Sequence, residues 1–86
     1  MDLNSYRDET KEFLIRIGAI NEGIDKKIEL FEEEFDELKT NINNRDIATH
    51  QIYDLLFILF EIASEYDIDL DLEWEKGRKW KKEKYI

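Results

Sequence analysis

The sequence predicts an all-α fold, a bundle of four helices forming a single domain over residues 1–86. The chain has no proline and only three glycines, and it is rich in residues that favour helices. Apolar residues in the middle of the chain recur at helical spacing. The stretch 51–66 is apolar at nearly every position between Ile52 and Ala63, with only Asp54 and Glu61 interrupting it. A helix that is apolar over most of its surface needs neighbours on several sides, so we expect this segment to be central.

Two helices are predicted before the central one. The first begins near Ser5, with Asn4 or Ser5 as its N-terminal cap, and fades near Ile20. The second runs from about Gly23 to Ile42. Its apolar residues follow one another at spacings of four, three, four, three and four, and they are Ile24, Ile28, Phe31, Phe35, Leu38 and Ile42.

Two further helices follow a turn at residues 40–44. Asp46 is the predicted N-terminal cap of the third, central helix. The fourth helix runs from about Leu70 to Tyr85, and we expect Leu70, Trp74 and Trp80 to pack against the rest of the domain.

No signal peptide, membrane span or cysteine chemistry is expected. The apolar run from Ile52 to Ala63 is shorter than the ~20 residues that span a bilayer. The N-terminus lacks a basic region followed by an apolar one, and the chain has no cysteine. A cytoplasmic protein is therefore predicted.

The net charge of −9 argues against general nucleic-acid binding, which requires a basic surface. The charge is uneven, because residues 76–86 carry +5 and the preceding residues carry −14. Such a tail suits phosphate binding beside a cation that carboxylates hold. A solvated basic helix end, stabilised by the helix dipole, explains the same pattern equally well.

One group of oxygen-bearing side chains is predicted to converge between the second and third helices. Glu34 and Glu37 are three residues apart and flank the apolar stripe of the second helix. Gln51 and Asp54 lie on one side of the third helix, which the short connection turns back against the second. Three carboxylates and one amide oxygen suit Mg²⁺ or Mn²⁺.

Each part of this group has a simpler explanation. Spacing like that of Glu34 and Glu37 recurs elsewhere in this acidic chain and is typical of a solvated helix face. Asp54 differs, because a carboxylate in a nearly all-apolar helix needs a partner. That partner could be a metal ion, or it could be Arg16, Lys27 or Arg45 in an ion pair.

EEFDELK (residues 33–39) followed by QIYDLLFILFEIASEYDIDL (residues 51–70) resembles the MazG-like all-α nucleotide pyrophosphohydrolases. That family has an ExxE motif, a spacer, an ExxD motif and an apolar helix directly after the Asp. It then continues into a Gly-Ile-Asp-type corner and a basic final helix, which residues 66–70 and 75–85 match. The resemblance covers residues 24–85 and depends on the order of these parts.

The resemblance implies Mg²⁺- or Mn²⁺-dependent hydrolysis of a nucleoside triphosphate to a monophosphate and pyrophosphate. Glu34, Glu37 and Asp54 would be catalytic metal ligands, and Gln51 occupies the position where the family has Glu. The implied phosphate contacts are Lys76, Arg78 and Lys79, and Phe13 and Ile17 would help to wall the base pocket.

The expected assembly is a homodimer or a dimer of dimers, because four short helices in one chain leave part of the central helix uncovered. The alternative is a catalytically degenerate MazG-like acidic helical protein that binds a nucleotide or a protein partner.

Overall fold

The computed structural model describes residues 2–85, so Met1 and Ile86 of the predicted domain lie outside the described residues. Four α-helices and no strand occur within this range, which confirms the all-α class. The helices are α1 (Leu3–Arg16), α2 (Ile24–Thr40), α3 (Arg45–Glu65) and α4 (Leu70–Tyr85).

The ends of α1 differ from the sequence prediction. The cap is Asp2, whose carboxylate accepts a hydrogen bond from the Ser5 amide at 2.8 Å. Asn4 is therefore not the cap of α1, and its side chain bonds to α4 instead. The helix ends at Arg16, four residues before the predicted Ile20, because Gly18 adopts a left-handed backbone conformation with φ of 73°.

The connection between α2 and α3 is a short turn over residues 41–44, as predicted. The cap of α3 is Asn44, whose side chain accepts a hydrogen bond from the Ile47 amide at 3.3 Å. The prediction of Asp46 was wrong by two residues. Asp46 lies instead in the first turn of α3, where the positive end of the helix dipole stabilises its negative charge.

The α3 helix is the centre of the domain. Both α1 and α2 pack against it, and α4 packs against α1. Phe13 of α1 meets Phe57 of α3 edge to face with ring centroids 5.5 Å apart, and Tyr6 lies 5.9 Å from Phe60. The apolar residues of α3 thus pack against two neighbouring helices, α1 and α2.

The α3 helix has 21 residues and a mean hydropathy of 1.2, so by length and composition alone it could cross a membrane. Our prediction of a segment too short to do so considered only the run 52–63, whereas the helix extends beyond it at both ends. The core helix of a soluble protein passes the same test.

The predicted packing of the two tryptophans of α4 is not observed. Trp74 is 60% exposed and Trp80 is 53% exposed, while Leu70 is half-buried. The first turn of α4 bonds to the first turn of α1, and Trp74 borders α1 without being covered by it.

Candidate functional site

The helical period and the short turn bring the predicted oxygen-bearing side chains together between α2 and α3. Gln51 is buried, and its amide nitrogen donates a hydrogen bond to Glu37 Oε2 at 2.6 Å. Asp54, one turn later on α3, lies within hydrogen-bonding reach of Glu34. The four residues therefore form one connected group, which we call the carboxylate–amide cluster.

The electrostatics of the cluster centre on Glu34. Burial raises the pKa of its carboxyl, and the nearby charges of Asp54 and Glu37 raise it further. The Asp54 carboxyl acts in the same direction as a neighbour to which a protonated Glu34 can hydrogen-bond.

Two oxygen atoms of the cluster are buried without a hydrogen-bond partner among residues 2–85. They are Glu34 Oε2 and Gln51 Oε1. Both atoms are acceptors, so a donor or a cation is needed to satisfy either of them. The amide of Gln51 is oriented with its nitrogen towards Glu37, and its oxygen therefore points away from that carboxylate.

The positions of these side chains do not form a closed metal cage. Across residues 2–85, no three His, Cys, Asp or Glu side chains lie close enough together to hold a metal ion. The oxygen atoms of the cluster nevertheless belong to carboxylates and an amide, the donor types that suit Mg²⁺ or Mn²⁺.

Within residues 2–85, none of the three residues that the sequence suggested forms an ion pair with Asp54, whose basic neighbour is the imidazole of His50. His50 Nε2, one turn earlier on α3, lies 3.4 Å from Asp54 Oδ2. Lys27 is 2% exposed, and its ammonium group donates to the Glu22 carbonyl oxygen at 2.7 Å and lies 3.5 Å from Glu65 Oε2. Lys27 therefore lies at the other end of the α2–α3 interface, where it contacts Glu22 and Glu65 and not Asp54.

Asp54 also lines a cleft of about 490 Å³ between α1 and α3. The other residues around the cleft are two acidic side chains, one arginine and three aromatic rings: Glu9, Glu12, Arg16, Phe13, Tyr53 and Phe57. Asp54 consequently joins the carboxylate–amide cluster to an aromatic surface.

The sequence identified only part of this cleft. Phe13 lines it as expected, but Ile17 lies beyond the end of α1 and is more than half exposed. Tyr53 and Phe57 were not singled out, although they adjoin Asp54 in sequence and on the helix surface. Arg16 was considered only as a partner of Asp54, and it lines the same cleft.

The predicted phosphate contacts on α4 are not brought to this cleft within one chain. Lys76 lies 3.4 Å from Glu73, and Arg78 lies 3.1 Å from Glu75, both within α4. Arg78 lines a different cleft, which includes Tyr6. Tyr6 precedes Phe13 by seven residues of α1, or about 10 Å along the helix axis.

Comparison with protein-family models, with curated proteins and with solved structures finds no match to this chain. The resemblance to MazG-like proteins therefore depends on the residues and their order.

Proposed function

We propose that this chain is a MazG-like, Mg²⁺-dependent nucleoside triphosphate pyrophosphohydrolase that releases pyrophosphate and a nucleoside monophosphate. The observation that carries the proposal is the pair of buried acceptors without partners, Glu34 Oε2 and Gln51 Oε1, beside the carboxylates of Glu37 and Asp54. Buried acceptors of this kind destabilise a fold unless something satisfies them.

The cluster fits a divalent cation through its donor chemistry. Glu34, Glu37 and Asp54 provide carboxylates, and Gln51 provides an amide oxygen. A bound Mg²⁺ or Mn²⁺ would polarise the phosphate groups and offset the charge that develops on pyrophosphate. The role of Gln51 within the chain is to orient Glu37 through the 2.6 Å hydrogen bond.

The cleft beside Asp54 is our candidate site for the nucleoside. Aromatic rings stack on nucleobases, and Phe13, Tyr53 and Phe57 present three rings there. Arg16 in the same cleft provides a fixed positive charge for a phosphate oxygen.

The phosphate-binding roles of Lys76, Arg78 and Lys79 require α4 to reach this cleft. Because α4 of the same chain packs elsewhere on α1, we place these residues in the site of a second copy, within a homodimer or a dimer of dimers.

The alternative is a catalytically degenerate member that binds a nucleotide or a protein partner. The observation that favours it is the neutral amide of Gln51. Compared with the glutamate of the family, it removes one negative charge from the cluster, and it cannot accept a proton as a base. Its contact with Glu37 also stabilises the cluster to some extent in the absence of a cation.

Pyrophosphate release from a panel of canonical and modified nucleoside triphosphates tests the proposal, with Mg²⁺, with Mn²⁺ and with EDTA. We expect cation-dependent release that Asp54→Ala and Glu37→Ala each reduce by more than the ~10–100-fold typical of residues outside the ligand sphere. Asp25→Ala and Asp46→Ala are the controls, because both carboxylates are exposed in the first turns of α2 and α3 and lie outside the cluster.

Gln51→Glu separates the two candidate functions. A gain in turnover or Mg²⁺ affinity identifies a weakened catalytic site. Absence of both release and Mg²⁺ binding in the folded wild type and in Gln51→Glu would reject the enzyme and favour the binding protein.

A further inference from the structure

One side of α4 combines aromatic and basic side chains, and its Trp74 and Arg78 also border the α1 helix. Trp74, Gly77, Arg78, Lys81, Lys82 and Tyr85 lie around one cleft of about 530 Å³, together with Glu73. We call these six residues the basic–aromatic face. Trp74 and Tyr85 are 60% and 70% exposed. Tryptophan, tyrosine and arginine are the residues most enriched at the energetic centres of protein interfaces.

The charges of this face are only partly compensated within the chain. Arg78 pairs with Glu75 of the same helix. Lys81 and Lys82 have no ion-pair partner among residues 2–85. An acidic surface is therefore the complementary partner for this part of the molecule.

The outer side of α2 is such a surface. Glu29, Glu32, Glu33 and Asp36 are all exposed, and their spacing places them on one side of the helix. We call them the acidic face. Ile28 and Phe35 are exposed beside it. The surface of α2 thus combines carboxylates with apolar side chains, and the surface of α4 combines cations with aromatic rings.

The two faces cannot meet within one chain. The α4 helix packs on α1, and α2 packs on α3, so that α1 and α3 lie between the basic–aromatic face and the acidic face. Each chain therefore carries both halves of a complementary pair on separated surfaces. Identical chains that carry such a pair can associate reciprocally across a two-fold axis, with α4 of each copy on α2 of the other.

We propose that α4 docks through its basic–aromatic face on the acidic face of α2 of a second copy of this chain. In this contact Lys81 and Lys82 face the carboxylates, and Trp74 and Tyr85 pack on Ile28 and Phe35. The contact depends on these two surfaces and not on the proposed catalytic activity. It occupies Arg78, so Lys76 and Lys79, on the other side of α4, are the residues of that helix left for the proposed phosphate contacts.

Two other partner classes match the structure less well. A polyanion such as single-stranded nucleic acid is repelled by the remainder of the chain, which carries −14. A helix that lies on a membrane separates its apolar and basic sides, whereas Trp74, Arg78 and Tyr85 share one side of α4.

Charge reversal tests the contact, with mass measured by light scattering. We expect Lys81→Glu with Lys82→Glu to weaken self-association on the order of tenfold or more, and Glu32→Lys with Glu33→Lys to do the same. An equimolar mixture of the two variants should associate again, because each then offers the charge that the other requires.

The control is Lys11→Glu with Arg45→Glu, at two exposed positions outside both faces. Each reversal changes the charge by two units, so this control and the α4 variant both move from −9 to −13. The control should associate like the wild type. The Glu32→Lys, Glu33→Lys variant has a net charge of −5, so repulsion between whole chains is smaller than in the wild type. Weaker association of this variant would therefore have to come from the loss of the contact itself.

Tryptophan fluorescence gives a second measurement, because both tryptophans of the chain lie on α4. In a Trp80→Phe background, Trp74 emission should shift to shorter wavelength as protein concentration rises, and should not shift in the α4 charge variant. Unchanged association in that variant, or no association in the mixture, overturns the proposal. A blue shift caused only by an oligonucleotide or by anionic vesicles overturns it in favour of those partners.

Discussion

The ionised carboxylate of Glu34 has two opposite consequences. It would hold the metal ion of the proposed function, but its charge lowers the stability of the fold. Its pKa is raised mainly by burial, and next by the charges of Asp54 and Glu37. A folded-state pKa above the unfolded value means that folding favours the protonated carboxyl. The stabilisation by the protonated Glu34 is fully present below the ordinary glutamate pKa of 4.5, and it is lost as the pH rises through the folded-state pKa. Above that folded-state pKa, the ionised Glu34 therefore destabilises the domain.

Glu34→Gln should raise the free energy of unfolding at neutral pH. The expected gain is roughly 0.5–1 kcal/mol, because the substitution removes repulsion from two nearby carboxylates. At a pH below the ordinary glutamate value, wild type and variant should have equal stability, because both side chains are then neutral. Urea unfolding followed by circular dichroism at both pH values measures the difference.

Glu33→Gln is the control for this change, because Glu33 is exposed and lies outside the carboxylate–amide cluster. It should have little effect at either pH. Equal stability of wild type and Glu34→Gln at neutral pH would contradict the electrostatic account of the cluster.

A second buried charge lies at the other end of the α2–α3 interface. Burial raises the pKa of Glu61, and the ammonium of Lys27 opposes this shift. Lys27 also bonds to the Glu22 carbonyl oxygen, in the segment that leads from α1 to α2. This arrangement connects the α1–α2 segment to α3 and has no role in the proposed chemistry.

At the scale of elements, α1 and α4 cap each other. The Asp71 carboxylate accepts hydrogen bonds from the Leu3 amide at 2.8 Å and the Asn4 amide at 3.4 Å. In return, Asn4 Oδ1 accepts a hydrogen bond from the Leu70 amide at 2.8 Å. The first turns of two helices that are distant in sequence thus satisfy each other's free amide groups.

Asn4→Ala and Asp71→Ala should each lower the free energy of unfolding by about 1 kcal/mol, the typical effect of losing an N-terminal cap. Because the two residues act in one network, the double variant should lose less than the sum of the single losses. Asn43→Ala, in the exposed α2–α3 turn, is the matched control.

Denaturant unfolding measures the free energies of unfolding of the wild type and of these four variants. Hydrogen exchange should in addition show faster exchange in the first turn of α4 in Asn4→Ala. A stability loss equal to that of the Asn43→Ala control would show that α4 is held by its packing on α1 alone.

At the scale of the whole molecule, one side of α3 remains about half exposed after the packing of residues 2–85. Ile52, Leu56 and Leu59 follow one another at spacings of four and three residues, and each is about half exposed. The α1 and α2 helices occupy the other sides. We call these three residues the open stripe of α3. A continuous apolar stripe on a central helix is typical of an interface between subunits.

Leu56→Lys should weaken self-association through this stripe on the order of tenfold or more, since it introduces a charge at the centre of an apolar contact. Light scattering measures the mass, and circular dichroism verifies that helix content is unchanged. Ile42→Lys is the control, because Ile42 is as exposed as Leu56 but lies outside α3. A chain that remains monomeric at every concentration would contradict both this interface and the α4 contact.

The features that follow from local periodicity could be predicted from the sequence. The spacing of apolar residues identified α2, and the apolar run identified α3. Because the turn between them is short, the helical period was enough to predict that Glu34, Glu37, Gln51 and Asp54 would converge. Such contacts depend on few degrees of freedom.

The features that depend on packing between distant segments could not be predicted in this way. Asn4 was predicted to cap α1, but its side chain caps α4. Asp2 caps α1 instead, and which residue caps which helix depends on the contact between α1 and α4. The cleft that joins Asp54 to Phe13 and Arg16 likewise exists only through the packing of α1 on α3.

The sequence by itself determined the four helices and the composition of the carboxylate–amide cluster, because both follow from residue spacing along a helix. The tertiary structure alone decided which oxygen atoms of that cluster are left without partners, and that Trp74 and Trp80 remain exposed. The physical reason is that burial is a property of neighbouring surfaces, and a helical period does not specify which surface a neighbour will cover.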